Sequence, residues 1–111
     1  MQVPYSTSLV ISNVPHESSE SIARALIEHQ VAACVTLTPV KSVYRWEGKV
    51  CVDDEVTLTA KVSHPSIKPC VDMIESLHPY ELPEVLVISV DEENSSKAYQ
   101  EWVSAECKHK G

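Results

Sequence analysis

The residue pattern between positions 32 and 62 constrains the fold of this chain more than any other feature. Apolar residues keep to alternate positions on both sides of Gly48, which is the spacing of a strand with one buried face. These residues are Ala33, Val35 and Leu37 in the first run and Val50, Val52, Val56, Leu58, Ala60 and Val62 in the second. Gly48 can supply the positive φ that a tight turn needs. The sequence therefore predicts one long β-hairpin.

Two short apolar segments and three amphipathic segments flank this hairpin. Residues 8–13 and 84–90 are apolar at neighbouring positions, which indicates strands that are covered on both faces. Residues 20–30, 67–77 and 94–107 carry apolar side chains at helical spacing. In the last helix the residues expected to point inward are Ala98, Tyr99, Trp102 and Val103.

The resulting order of elements is β, α, β, β, α, β, α. It predicts an α+β fold, a ferredoxin-like βαββαβ sandwich with a long β2–β3 hairpin and a C-terminal helix. Two helices pack on one face of a four-stranded antiparallel sheet in this arrangement. At 111 residues, the whole of 1–111 is expected to form a single domain.

The composition indicates which binding partners and which cellular location to expect. Nine basic against sixteen acidic residues give a net charge of −7, which disfavours binding to nucleic acid and to anionic membranes. The N-terminal residues have no basic region and no apolar run of membrane-spanning length, so we expect a cytoplasmic protein. The four cysteines show no CxxC pair, and we expect four separate thiols.

The predicted sheet leaves an apolar face without a cover. Because the first and fourth strands are apolar at both parities, a second copy of the chain is the simplest cover. The hairpin is also longer than a domain of this size can bury, and Tyr44 and Trp46 lie near its tip. The pattern therefore predicts an oligomer whose interface contains these aromatic residues.

Two long motifs resemble those of one known family, the CutA divalent-cation tolerance proteins. The motifs are VAACVTLTPVKSVYRWEGKV at residues 31–50 and HPYELPEVLV at residues 78–87. The resemblance covers nearly the whole chain and implies a homotrimer similar in architecture to the PII signalling proteins. It also implies a link to copper tolerance. We accordingly place Tyr44, Trp46 and Tyr80 at the subunit interface.

The predicted metal site centres on His78 of the HPY motif. Some relatives are thought to bind copper through a cysteine late in the first strand and two adjacent histidines. Here these positions hold Ser12, Leu77 and His78, so His78 alone is retained. We predict a divalent-cation site, with copper first in the affinity order, in which His78 is the principal ligand and Cys34, Glu81 or Glu84 contribute from the same or a neighbouring subunit. The alternative interpretations are that His78 caps a helix end and that Cys34 is a small buried residue.

No catalytic arrangement is predicted. Acylphosphatases of this fold class use an arginine after the first strand, whereas the segment here, NVPHESSES, contains no basic Lys or Arg. Two functions stay open at this point. The first is a trimeric protein that binds a metal or another ligand and responds to it. The second is a structural or adaptor trimer that binds a partner protein.

Overall fold

A computed structural model describes residues 6–108 of the chain. It contains four strands, β1 (Thr7–Val14), β2 (Cys34–Trp46), β3 (Lys49–Ser63) and β4 (Leu86–Ser89). The helices are α1 (His16–Glu28), α2 (Ile67–Leu77) and α3 (Lys97–Glu106), and a 3₁₀ turn (His64–Ser66) precedes α2.

The strands form one antiparallel sheet in the order β2-β3-β1-β4. Helices α1 and α2 pack on one face of this sheet, and their apolar stripes meet alternate residues of β1 and β3. The fully buried centre of this core includes Val10, Val14, Ile22, Leu26, Leu58 and Ile74. The predicted ferredoxin-like fold, with its C-terminal helix, is confirmed.

The β2–β3 hairpin is one continuous ladder from Cys34 opposite Lys61 to Trp46 opposite Lys49. Glu47 and Gly48 form its turn with φ of 49° and 79°, and two successive positive φ values match the twist of the strands. Strand β1 pairs with β3 only as far as Val56, so residues 40–55 form an arm beyond the rest of the sheet. At roughly 3.3 Å per residue, this arm projects about 20 Å.

The sheet face opposite α1 and α2 is partly uncovered in the single chain. The apolar residues Leu86 and Ile88 of β4 point to this face and are 57% and 46% exposed. Leu9 and Ile11 of β1 are half-buried beside them. These residues form the apolar face for which the sequence predicts a second copy of the chain as the cover.

Two predicted details of the helices are wrong. Helix α1 begins at His16 rather than at residue 20, and Ser19 lies inside the helix and donates to the His16 carbonyl. In α3 the buried residues are Gln100 and Val103, whereas Tyr99 and Trp102 are each 43% exposed. The buried stripe of α3 thus runs through a polar residue, which an apolar periodicity does not reveal.

Candidate functional site

A cleft of about 670 Å³ lies between the arm and the α2–β4 loop, residues 78–85. Both walls follow from the fold, because the arm extends past the end of β1 and the loop returns from α2 across that end. The lining consists of Asn13, Ser42, Val43, Tyr44, Arg45, Trp46, Asp53, Glu55, Tyr80, Glu81, Leu82 and Glu84. Its size is that of a pocket for a small molecule.

Glu55 is the most deeply placed charge in this cleft. Its position on β3 turns the side chain away from the helices, and the residue is only 8% exposed. Its Oε2 accepts a hydrogen bond of 2.6 Å from the Tyr80 hydroxyl, which ties the loop to the arm. Within residues 6–108 its other carboxylate oxygen has no hydrogen-bond partner, and no basic side chain forms an ion pair with it.

A second phenol–carboxylate pair lies nearer the tip of the arm. The Tyr44 hydroxyl donates to the carboxylate of Asp53, and this bond raises the pKa of Tyr44 to about 12. Burial, followed by the bond to Glu55, raises the pKa of Tyr80 as well. Both phenols are therefore protonated at neutral pH and act as donors to the two carboxylates.

Polar groups at the end of β1 close the inner end of the cleft. Thr57 donates to the Asn13 side-chain oxygen at 2.7 Å, and the Asn13 amide donates to the Ser42 hydroxyl at 3.4 Å. These bonds link β1 with both strands of the hairpin. They fix the base of the arm beside Glu55.

The described lining is strongly acidic. It contains the carboxylates of Asp53, Glu55, Glu81 and Glu84 but one basic side chain, Arg45. Arg45 donates to the Gly48 carbonyl at the turn. The cleft therefore attracts cations and repels anionic ligands.

His78 lies next to this cleft, and both of its ring nitrogens are engaged in hydrogen bonds. The Nε2 atom lies 2.8 Å from the Asn13 carbonyl oxygen, and Nδ1 accepts the Tyr80 backbone N–H at 3.2 Å. Since a carbonyl only accepts, Nε2 carries the proton and Nδ1 uses its lone pair. The residue is 7% exposed and also contacts the Tyr80 ring, with centroids 4.7 Å apart. Coordination of a metal at either nitrogen would break one of these bonds.

The structure does not bring the four predicted metal ligands together within one chain. Cys34 lies at the far end of β2, about 25 Å along the strand from Ser42 at roughly 3.3 Å per residue. There its sulfur is 4.0 Å from Lys61 Nζ. In residues 6–108 no group of three or more His, Cys, Asp or Glu side chains is arranged to hold a metal ion. Within one chain, Cys34 is distant from His78, both nitrogens of His78 are hydrogen-bonded, and Glu81 and Glu84 line the cleft; a site shared between subunits stays a prediction.

The three predicted interface aromatics, Tyr44, Trp46 and Tyr80, all line the cleft. The sequence reasoning missed Asn13, Asp53 and Glu55 as site residues. The parity of the hairpin places Asp53 and Glu55 on the same face as Tyr44, and this signal is present in the sequence. The partner of Glu55 comes from a loop 25 residues away, which no local pattern indicates.

Comparison with known proteins identifies the family. The model of the CutA1 divalent ion tolerance protein family matches residues 8–106. The chain belongs to this family. Its resemblance in sequence is therefore confirmed, and the cleft described above is a feature of a CutA1 protein.

Solved and curated relatives agree with this assignment. The structure of the PII-like protein CutA from Nostoc sp. PCC 7120 in apo form superposes with a TM-score of 0.90 at 45% identity, covering 94% of this chain and 99% of that one. Protein CutA from Homo sapiens is 38% identical over 103 residues, which are 91% of this chain and 56% of the human protein. This chain thus spans about half the length of that relative. The divalent-cation tolerance protein CutA from Thermus thermophilus is 35% identical over 97 residues, 86% of this chain and 92% of that one.

Proposed function

We propose that this protein is a non-catalytic, homotrimeric cation-binding protein of the cytoplasm, and that its cleft is the binding site. The observation that carries the proposal is Glu55, a residue that is 8% exposed, lines the cleft, accepts a hydrogen bond from Tyr80 and has no ion-pair partner in residues 6–108. A buried charge is stable when it is paired. A cation in the cleft would supply the missing charge.

Exposed apolar surface supports the homotrimer. Leu86 and Ile88 on the sheet, and Val43, Val50 and Val52 on the arm, are all exposed in the single chain. The arm also gives the chain an extent of 47 Å against 27 and 22 Å in the other directions. Contact with like subunits would bury these residues. No helix among residues 6–108 has the length and apolar character needed to cross a membrane.

The side chains of the cleft support binding without catalysis. Tyr44 and Tyr80 keep their protons and donate hydrogen bonds to Asp53 and Glu55, so these two carboxylates already act as hydrogen-bond acceptors. The groups present are suited to attracting and orienting a cation.

Copper remains the second candidate ligand, because the family is named for divalent-ion tolerance and Cu²⁺ leads the affinity order of the divalent metals. The residues present do not fit copper within one chain, because imidazole and thiolate ligands suit copper and both are directed elsewhere. Carboxylates from Glu81 and Glu84 suit harder cations. The adaptor function would require no cation at all.

Calorimetric titration of the intact protein tests the proposal. A panel of Cu²⁺, Zn²⁺, Mg²⁺ and organic cations is titrated into the wild type, into Glu55→Gln and into the matched control Glu17→Gln, which alters an exposed carboxylate of α1. We expect saturable binding of at least one cation that Glu55→Gln weakens and Glu17→Gln leaves unchanged. If no cation binds in this manner, the cleft is not a cation site and the adaptor function is favoured. Light scattering and cell fractionation test the trimer and the cytoplasmic location.

A further inference from the structure

We propose that the cleft binds a linear aliphatic polyamine, with its ammonium groups on the carboxylates and its methylene chain on the aromatic walls. This inference rests on the proposed cation-binding function and specifies the chemical class of the ligand. It is drawn from the distribution of charge, the remaining hydrogen-bond acceptors and the shape of the cleft.

The acidic side chains of the cleft lie on both of its walls. Asp53 and Glu55 belong to the arm, whereas Glu81 and Glu84 belong to the α2–β4 loop. Among the described residues, no three or more His, Cys, Asp or Glu side chains are arranged to hold one metal ion. A flexible chain with several separated positive charges can contact both walls at once.

The carboxylates on the arm still have acceptors for N–H donors. Asp53 and Glu55 each accept one phenol hydrogen bond, from Tyr44 and Tyr80 respectively. An ionised carboxylate offers about four lone-pair positions, and a primary ammonium has three N–H donors. The second oxygen of Glu55 has no hydrogen-bond partner in the described chain, so an ammonium group there would pair with a carboxylate whose residue is almost buried.

The apolar part of the lining suits a methylene chain. In the single chain, Tyr44, Trp46 and Leu82 contribute exposed apolar surface to the cleft. Aliphatic segments would remove this surface from water, and an ammonium group over an aromatic face gains further attraction. A bare metal ion would use none of these surfaces.

The decisive experiment compares ligands of matched charge or length. Spermidine, the probe polyamine, hexaamminecobalt(III), which carries the same charge of about +3 in compact form, and the neutral chain 1,8-octanediol are titrated calorimetrically into the wild-type protein. We expect spermidine to bind roughly tenfold or more tightly than hexaamminecobalt(III), and we expect no saturable binding of the diol. Equal affinities of the two cations would show that charge alone acts and would overturn the inference.

Variants locate the binding. We expect Glu55→Gln to weaken spermidine binding by roughly tenfold or more, and Glu17→Gln to leave it unchanged. If Glu55→Gln fails to fold, as judged by circular dichroism and light scattering, Asp53→Asn at the exposed neighbouring site replaces it with the same expectation. Spermidine binding that neither variant alters lies elsewhere and refutes the inference. If Zn²⁺, Mg²⁺ or hexaamminecobalt(III) binds in a Glu55-dependent manner and spermidine does not, the cation cleft stands and the polyamine assignment is wrong.

Discussion

Replacement of His78 by alanine separates a structural histidine from a metal ligand. The substitution removes the partner of the Asn13 carbonyl at 2.8 Å and the acceptor of the Tyr80 N–H at 3.2 Å. It also removes a ring that is 7% exposed and contacts the Tyr80 ring. The α2–β4 loop would lose its main attachment to the end of β1.

The size of the effect follows from these contacts. Each lost hydrogen bond contributes about 1 kcal/mol, and the loss of the buried ring surface adds about 1 kcal/mol. We therefore expect His78→Ala to lower the free energy of unfolding by about 3 kcal/mol. The control His64→Ala, at an exposed residue, should change it by less than about 0.5 kcal/mol.

Urea unfolding at one fixed protein concentration measures both variants, since association contributes to apparent stability. Any copper affinity of the folded protein should be the same in His78→Ala and in the wild type. A loss of stability below about 1 kcal/mol would refute the hydrogen-bonding role. Abolished copper binding with unchanged stability would restore His78 as a ligand.

Four further outcomes follow from the structure. Burial raises the pKa of Cys70 from 9.0 to about 12. The stability that comes from burying its neutral thiol is therefore complete below pH 9 and declines towards pH 12. Urea unfolding across this pH range should show a smaller decline in the free energy of unfolding for Cys70→Ala than for the wild type. Thiol labelling should modify the half-buried Cys34 and Cys51 before Cys70. Gly48→Ala, at φ of 79°, should lower the free energy of unfolding by about 1 kcal/mol. Trp46→Ala should weaken subunit association, as measured by light scattering against protein concentration.

The sequence predicted the fold well where one pattern determined one structure. The alternation on either side of Gly48 could form only one register, since a shift by one residue would expose Leu58 and Val56 and bury Thr57. Prediction failed where a polar residue occupied a buried position. Gln100 is buried in α3, where its amide donates to the carbonyls of Glu92 and Ser96. The hydropathy of the sequence does not indicate those hydrogen bonds.

The site was less predictable than the fold because it depends on contacts between distant segments. Tyr44 and Tyr80 were identified for their aromatic character, but their hydroxyls have a second role as donors to acidic residues. The metal prediction for His78 rested on its residue type and on its place in the HPY motif. Its actual role depends on the Asn13 carbonyl, 65 positions away in the chain.

A cation that binds beside Glu55 should change the chemical environment of the cleft. Chemical-shift mapping of the ¹⁵N-labelled protein, during titration with the tightest-binding cation of the panel, measures this change. We expect the largest shifts at residues 53–55 and 80–84, with little change near Cys34 and Lys61. Shifts that are centred on Cys34 and Lys61, or that are spread over the acidic surface without a maximum at the cleft, would contradict binding beside Glu55.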